Sequence, residues 1–132
     1  MDENAPLTVF PYYFNGSDYY PVIPLVFLIG KKRVRSQALI DSGATISVFG
    51  EETAETLGVE IEKGEKTVLG GVGGRIVGYI HKLRVRIAGK DFLCPIVFSR
   101  EYLVSFNLLG RQEFFKKFKI IFEEKKNLLK LE

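Results

Sequence analysis

The chain has 132 residues, 46% of them hydrophobic and 27% charged, with a net charge of +3. That is enough for one domain with a real core and excludes a disordered protein; so mild a charge does not argue for nucleic acid, which needs a basic patch as well as a basic total. Met1-Asp2-Glu3-Asn4 opens onto no long apolar segment and no stretch reaches membrane-span length, so neither a leader nor an anchor is expected. Cys94, the single cysteine, leaves no internal disulfide, which makes the cytoplasm the default setting.

Residues Leu7–Phe14 and Tyr19–Ile29 are rich in β-branched and aromatic side chains and flank Asn15-Gly16, a strong hairpin signal. Pro11, Pro21 and Pro24 confine parts of these strands to an edge or bulge, because proline cannot donate to a ladder. A turn at Gly30-Lys31-Lys32 leads into a strand over Arg33–Ile40, which ends at Asp41. Glu51–Leu57 reads as a short helix with acids in its first turn and Gly58 as its stop. Val59–Leu69 reads as strand, turn, strand. From Arg75 to Ile87, Lys82, Arg84 and Arg86 alternate with Leu83, Val85 and Ile87, the pattern of a strand with one wet face. Gly89-Lys90 turns into a strongly apolar strand over Asp91–Phe98. An irregular connection over Ser99–Phe106, a buried Leu108-Leu109-Gly110, a second short helix over Arg111–Lys117 and a hairpin of Phe118–Glu123 with Leu128–Leu131 complete the chain. The class is all-β with two short helices, in one domain spanning 1–132.

Two stretches carry chemistry. In Ala38-Leu39-Ile40-Asp41-Ser42-Gly43-Ala44-Thr45-Ile46-Ser47-Val48-Phe49 an apolar run is interrupted by one carboxylate, one hydroxyl and one glycine, so an acid is delivered from a buried strand to a tight turn. Burial and a second carboxylate raise such an acid's pKa, whereas hydrogen bonds from a serine and backbone amides favour its charged form. Leu69-Gly70-Gly71-Val72-Gly73-Gly74 holds four glycines in five residues, which suits a mobile hairpin tip. A phosphate loop does not fit, because position 76 is not glycine and a strand follows.

These two stretches, with Asn107-Leu108-Leu109-Gly110-Arg111, resemble the retropepsin-like aspartic proteases in motif and in order, over roughly Tyr20 to Leu131. The resemblance implies a compact closed acid-protease barrel with an N-terminal strand and hairpin over 1–19, a flap over 67–78 and a C-terminal hairpin over 117–132. It makes Asp41 the catalytic carboxylate. Ser42 would bond across a dimer axis, Gly43 would let backbone approach substrate, Ala44 would keep a subsite small, and Leu109 and Gly110 would support the turn with Thr45 beside it. Leu69 to Gly74 would be the flap that closes over an extended peptide. Such chemistry shares one proton between two carboxylates, because like charges about 3 Å apart cannot both ionise. This chain has one Asp-Ser-Gly and is too short for the two-lobed form, so an active homodimer is expected. Retroviral members carry an aspartate at the position of Thr45, paired with the arginine after the late glycine. Here Arg111 remains without it, so that ion pair is lost or rerouted to Glu113, and the chain reads as a microbial-type member.

The remaining features have plainer readings. His81, the sole histidine, sits on a strand with no nucleophile placed beside it, and Cys94 reads as a small buried hydrophobe. No cluster has metal-ligand spacing, and no cofactor is implied. Lys31-Lys32-Arg33, Lys82-Arg84-Arg86 and Lys116-Lys117-Lys119 are solvated turns and faces; Phe114, Phe115, Phe118 and Phe122 are core or dimer interface. The expected function is aspartic endopeptidase cleavage of extended, largely apolar segments of a polypeptide substrate. The alternative is a non-catalytic, dimeric peptide-binding module of the same fold.

Overall fold

The computed structural model describes residues 6–71, 74–103 and 105–132. Strands dominate: β1 (Thr8–Pro11), β2 (Tyr13–Phe14), β3 (Tyr19–Tyr20), β4 (Val22–Ile29), β5 (Lys32–Ile40) and β6 (Ser47–Gly50) precede helix α1 (Glu51–Leu57). There follow β7 (Glu65–Gly71), β8 (Gly74–Ile87), β9 (Lys90–Ser99), β10 (Leu108–Leu109), helix α2 (Phe114–Lys117), β11 (Ile120–Glu123) and β12 (Leu128–Leu131). The principal sheet runs β4-β5-β10-β6-β9-β8-β7, and β4 also pairs with β8 through Val26↔Arg86 and Phe27↔Val85, so hydrogen bonding returns on itself.

Inside lie Phe27, Phe49, Phe98, Ile23, Leu25, Ile87 and Ile96, all nearly or fully buried, with Phe49 edge-on to both Phe27 and Phe98. The alternation over Lys82–Ile87 is realised in β8, where Lys82, Arg84 and Arg86 face solvent and Val85 and Ile87 are fully buried. Gly58 ends α1 in the left-handed conformation, its N–H bonded to Ala54 and Glu55 carbonyls.

Three expectations change. Leu7–Phe14 is not one hairpin arm: β1 crosses to β12, in register Thr8↔Leu131 to Pro11↔Leu128, and only β2 pairs with β3. The intervening loop is an Asx turn, Asn15 Oδ1 accepting the N–H groups of Ser17 and Asp18 at 2.9 and 2.8 Å. Residues 59–63 are not a strand. Val59 N–H caps α1 at Ala54 O, and a 3₁₀ turn over Ile61–Lys63 then buries Ile61. The second helix starts only at Phe114, because Glu113 just before it stands at φ 63°, outside the helical region.

Candidate active site

Strand β5 carries Asp41 on its end, and the two-residue β10 fixes where that end lies. β10 sits between β5 and β6, parallel to the first (Leu108↔Leu39, Leu109↔Ile40) and antiparallel to the second (Leu108↔Val48). Asp41 N–H donates to Leu109 O at 3.0 Å, and Leu39 N–H donates to Asn107 O at 2.8 Å. The turn closes through Ala44 N–H to Asp41 O (3.2 Å), while Gly43 N–H donates to Asp41 Oδ1 (2.9 Å). Its far side is gripped by Arg111 N–H to Ala44 O and Gln112 N–H to Thr45 O, at 2.9 and 2.8 Å.

Gly110 lies under this turn with no room for a side chain: a Cβ there would stand 2.5 Å from Ile46 C and O and 2.8 Å from Ala44 O. Its N–H donates to Ser47 Oγ at 3.0 Å, and Ser47 is fully buried. Asn107 ties the same loop outward, accepting Gly50 N–H at 2.9 Å at the start of α1. Neither Ser47 nor Asn107 was given a role from sequence; a hydroxyl inside the apolar Ile46–Phe49 run was the available signal for Ser47.

Asp41 is half-buried, and opens onto a cleft of about 1020 Å³. Gly43, Ala44 and Thr45 share that cleft, and Leu69, Gly70, Gly71 and Gly74 line it from across, on the arms of β7 and β8. Val72 and Gly73, expected at the flap tip, lie outside the described residues. Leu109 and Gly110 stand behind the turn, not in the cleft. Ser42 is exposed, its hydroxyl bonded to no described residue. The cleft walls are mainly apolar, from Leu39, Ile46, Val48, Ile76 and Leu108, with Asp41 and Glu101 the charged members among the described residues.

The connection after β9 enters this cleft, which its sequence did not signal. Tyr102 donates its hydroxyl to Phe106 O at 2.6 Å. Burial, and then the Asp41 charge, push the phenol up to about 12, so it stays a protonated donor beside the acid. A smaller groove of about 480 Å³ between the β1–β2 segment and β4 contains no carboxylate.

Arg111 forms no ion pair among the described residues. The expected rerouting to Glu113 does not occur, because Glu113 instead faces Lys116 and Lys117 at 3.6 and 3.7 Å. Cys94 is fully buried, and burial pushes its thiol up to about 11, too high for an activated nucleophile. His81 Nε2 lies 2.9 Å from Ile61 O and its ring stands edge-on to Phe98, a packing role away from the acid. Of the four phenylalanines read as core or dimer interface, Phe114 and Phe118 are buried and Phe122 is exposed. No helix is long and apolar enough to cross a membrane, among the described residues.

Comparison with known proteins agrees with this geometry. The EIAV protease complexed with the inhibitor HBY-793 is similar in structure, with a TM-score of 0.59 at 19% identity, over 80% of this chain and 93% of that one. No individual curated protein matches the sequence significantly. The model of the aspartyl protease family matches residues 26–110, from within β4 through the Asp41 turn and both cleft-lining arms to Gly110. Spanning well over half of the sequence, that match means that the chain belongs to the aspartyl protease family, with a fold similar to that of the EIAV protease.

Proposed function

We propose that the protein is an aspartic endopeptidase that acts as a homodimer, hydrolysing peptide bonds in extended, largely apolar segments through a water held between Asp41 of two subunits. The observation that carries this reading is the Asp41 turn itself. Its Oδ1 is oriented by Gly43 N–H, and its Oδ2 bonds to no described residue at the floor of an apolar cleft. One such carboxylate is half of a site. With a second brought up by a two-fold axis, one ionised Asp41 takes a proton from the water as its oxygen attacks the peptide carbonyl carbon, while the protonated Asp41 gives its proton to the carbonyl oxygen. The tetrahedral diol then collapses and the C–N bond breaks: the Asp41 that drew a proton from the water gives it to the departing amine, and a diol hydroxyl returns a proton to the other Asp41 as the carboxyl product forms.

The neighbouring residues take roles consistent with this. Ser42, exposed at the turn, bonds to its counterpart across the axis; Ala44 and Thr45 border the subsites; Leu109 and Gly110 hold the turn from behind. Leu69 to Gly74, including Val72 and Gly73, closes over the substrate as a flap and offers it backbone hydrogen bonds. The apolar walls favour apolar substrate side chains, and a free, buried Cys94 is compatible with a reducing cytoplasm.

A second reading keeps the dimer and the cleft but lets the acid be structural, with peptide bound by strand addition and not cut. Cleavage of a diverse peptide pool, read by mass spectrometry from acid to neutral pH, separates the two. The Asp41→Asn variant should lose activity by at least about 10²–10⁴-fold, the usual contribution of a positioned acid–base group, while still binding peptide. Equal cleavage by the variant, or a rate that keeps rising well above neutral pH, would reject the shared-proton mechanism.

A further inference from the structure

Strand β8 belongs to two ladders, and the point where it leaves one of them is built from side chains. From Ile87↔Lys90 to Tyr79↔Phe98 it pairs with β9; beyond Tyr79 it pairs only with β7, through Thr67↔Gly78 and Val68↔Val77 to Gly71↔Gly74. Gly78 marks the departure, since a Cβ there would collide with Val97 Cγ1. The next residue, Val77, has no backbone partner on the β9 side. Instead the Ser99 hydroxyl donates to Val77 O at 2.6 Å, and Glu101 Oε2 accepts Val77 N–H at 2.5 Å. Glu101 N–H in turn donates to Ser99 Oγ at 3.1 Å, closing a ring of three hydrogen bonds.

We infer that this clasp is the fulcrum of the β7–β8 arms, and that Ser99 and Glu101 are positioning residues that hold those arms over Asp41. Three observations converge on it. The clasp replaces one ladder rung at the base of an otherwise two-stranded ribbon, where such a ribbon bends most easily. Ser99 is 1% exposed, so its hydroxyl cannot trade Val77 O for solvent without opening the strand, whereas Glu101 is exposed and can release Val77 N–H to water. The connection that carries both residues also carries Tyr102 and Phe106 into the cleft, so movement of the arms is transmitted to the wall beside Asp41. The role in substrate capture rests on the peptidase reading; the mechanical role does not.

Amide hydrogen exchange of the intact chain tests the clasp, and peptide cleavage tests its use. Glu101→Ala removes the acceptor, and Glu101→Gln keeps an oxygen in its place. In the alanine variant the Val77 amide should exchange about tenfold faster, with faster exchange in Leu69 and Ile76 and no change in β4 or β9. It should also raise KM several-fold, about three- to tenfold, with a smaller change in kcat, and glutamine should restore most of both. Unchanged exchange at Val77 in Glu101→Ala overturns the clasp, and a fall in kcat at constant KM overturns its role in substrate capture. Wild type that cuts no peptide counts against the peptidase reading alone, because the exchange result still decides whether Glu101 holds the arms.

Discussion

Ser47 holds an acid in place without touching it. Its buried oxygen accepts Gly110 N–H, and Gly110 lies against the carbonyls of Ala44 and Ile46, so the height of the Asp41 turn over β10 depends on one hydroxyl and one missing methyl. Ser47→Ala strands that N–H, at a cost of about 1–3 kcal/mol in unfolding free energy. Gly110→Ala forces two backbones apart, at about 1–3 kcal/mol or more. Both should lower the urea midpoint and weaken cleavage; full stability in Gly110→Ala would show that the turn yields more easily than its packing implies. Nearby, Cys94 contributes through protonation. Burial raises its folded pKa from 9.0 to about 11. Its contribution is therefore complete below about 9 and is lost as pH rises toward 11, on the order of 2–3 kcal/mol. Tyr12 and Tyr102 are raised further, so the test is the difference between wild type and Cys94→Ala: the variant should lose less stability between pH 9 and 11, whatever its starting level. Asp41 was legible because a carboxylate interrupting an apolar strand has no packing explanation. Tyr102 was not, because nothing local brings an irregular connection back to a turn 60 residues earlier.

Among the elements, those fixed by local rules matched the sequence closely, and those fixed by distant partners did not. Helix α1 begins and ends where acids, leucine and Gly58 place it, and β8 follows its charge alternation. By contrast β1 was read with its sequence neighbour, while its partner is the far end of the chain. Period-two alternation identifies a strand but not which strand lies beside it. This pairing carries energy. Phe10 packs against the core opposite Leu129, itself 1% exposed, and β1 covers one edge of β12 while β11 covers the other. Phe10→Ala should therefore destabilise the whole domain by about 2 kcal/mol, toward the lower end for aromatic truncation because the ring is only partly buried. Chain termini commonly fray; if this one did, the variant's urea midpoint would match wild type. The late start of α2 was hidden for a related reason, since nothing local marks Glu113 for the positive φ that precedes the helix.

At the scale of the molecule, a fold with one Asp41 turn poses a question of stoichiometry. Glu101, which shares the cleft with Asp41, is engaged with Val77 N–H, and Glu113 faces lysines. Ser42 is exposed beside Asp41, where a copy related by a two-fold axis, the commonest oligomer symmetry, would meet it. Dilution alone is an ambiguous test, because a monomeric enzyme can also be lost to surfaces. Subunit mixing is sharper. When wild type is re-equilibrated with an equal amount of Asp41→Asn, random pairing leaves about one quarter of the dimers with two aspartates, so cleavage should fall to about a quarter of that of a wild-type-only sample at the same total chain concentration. Chains that each carried a complete site would retain half. The two values differ by twofold, which initial rates resolve, and native mass spectrometry of the same preparation, with one of the two proteins isotopically labelled, confirms that exchange has occurred. A quarter is the result required if the proton shared in catalysis passes between two copies of one residue, and a half would return the search to a second acid within a single chain.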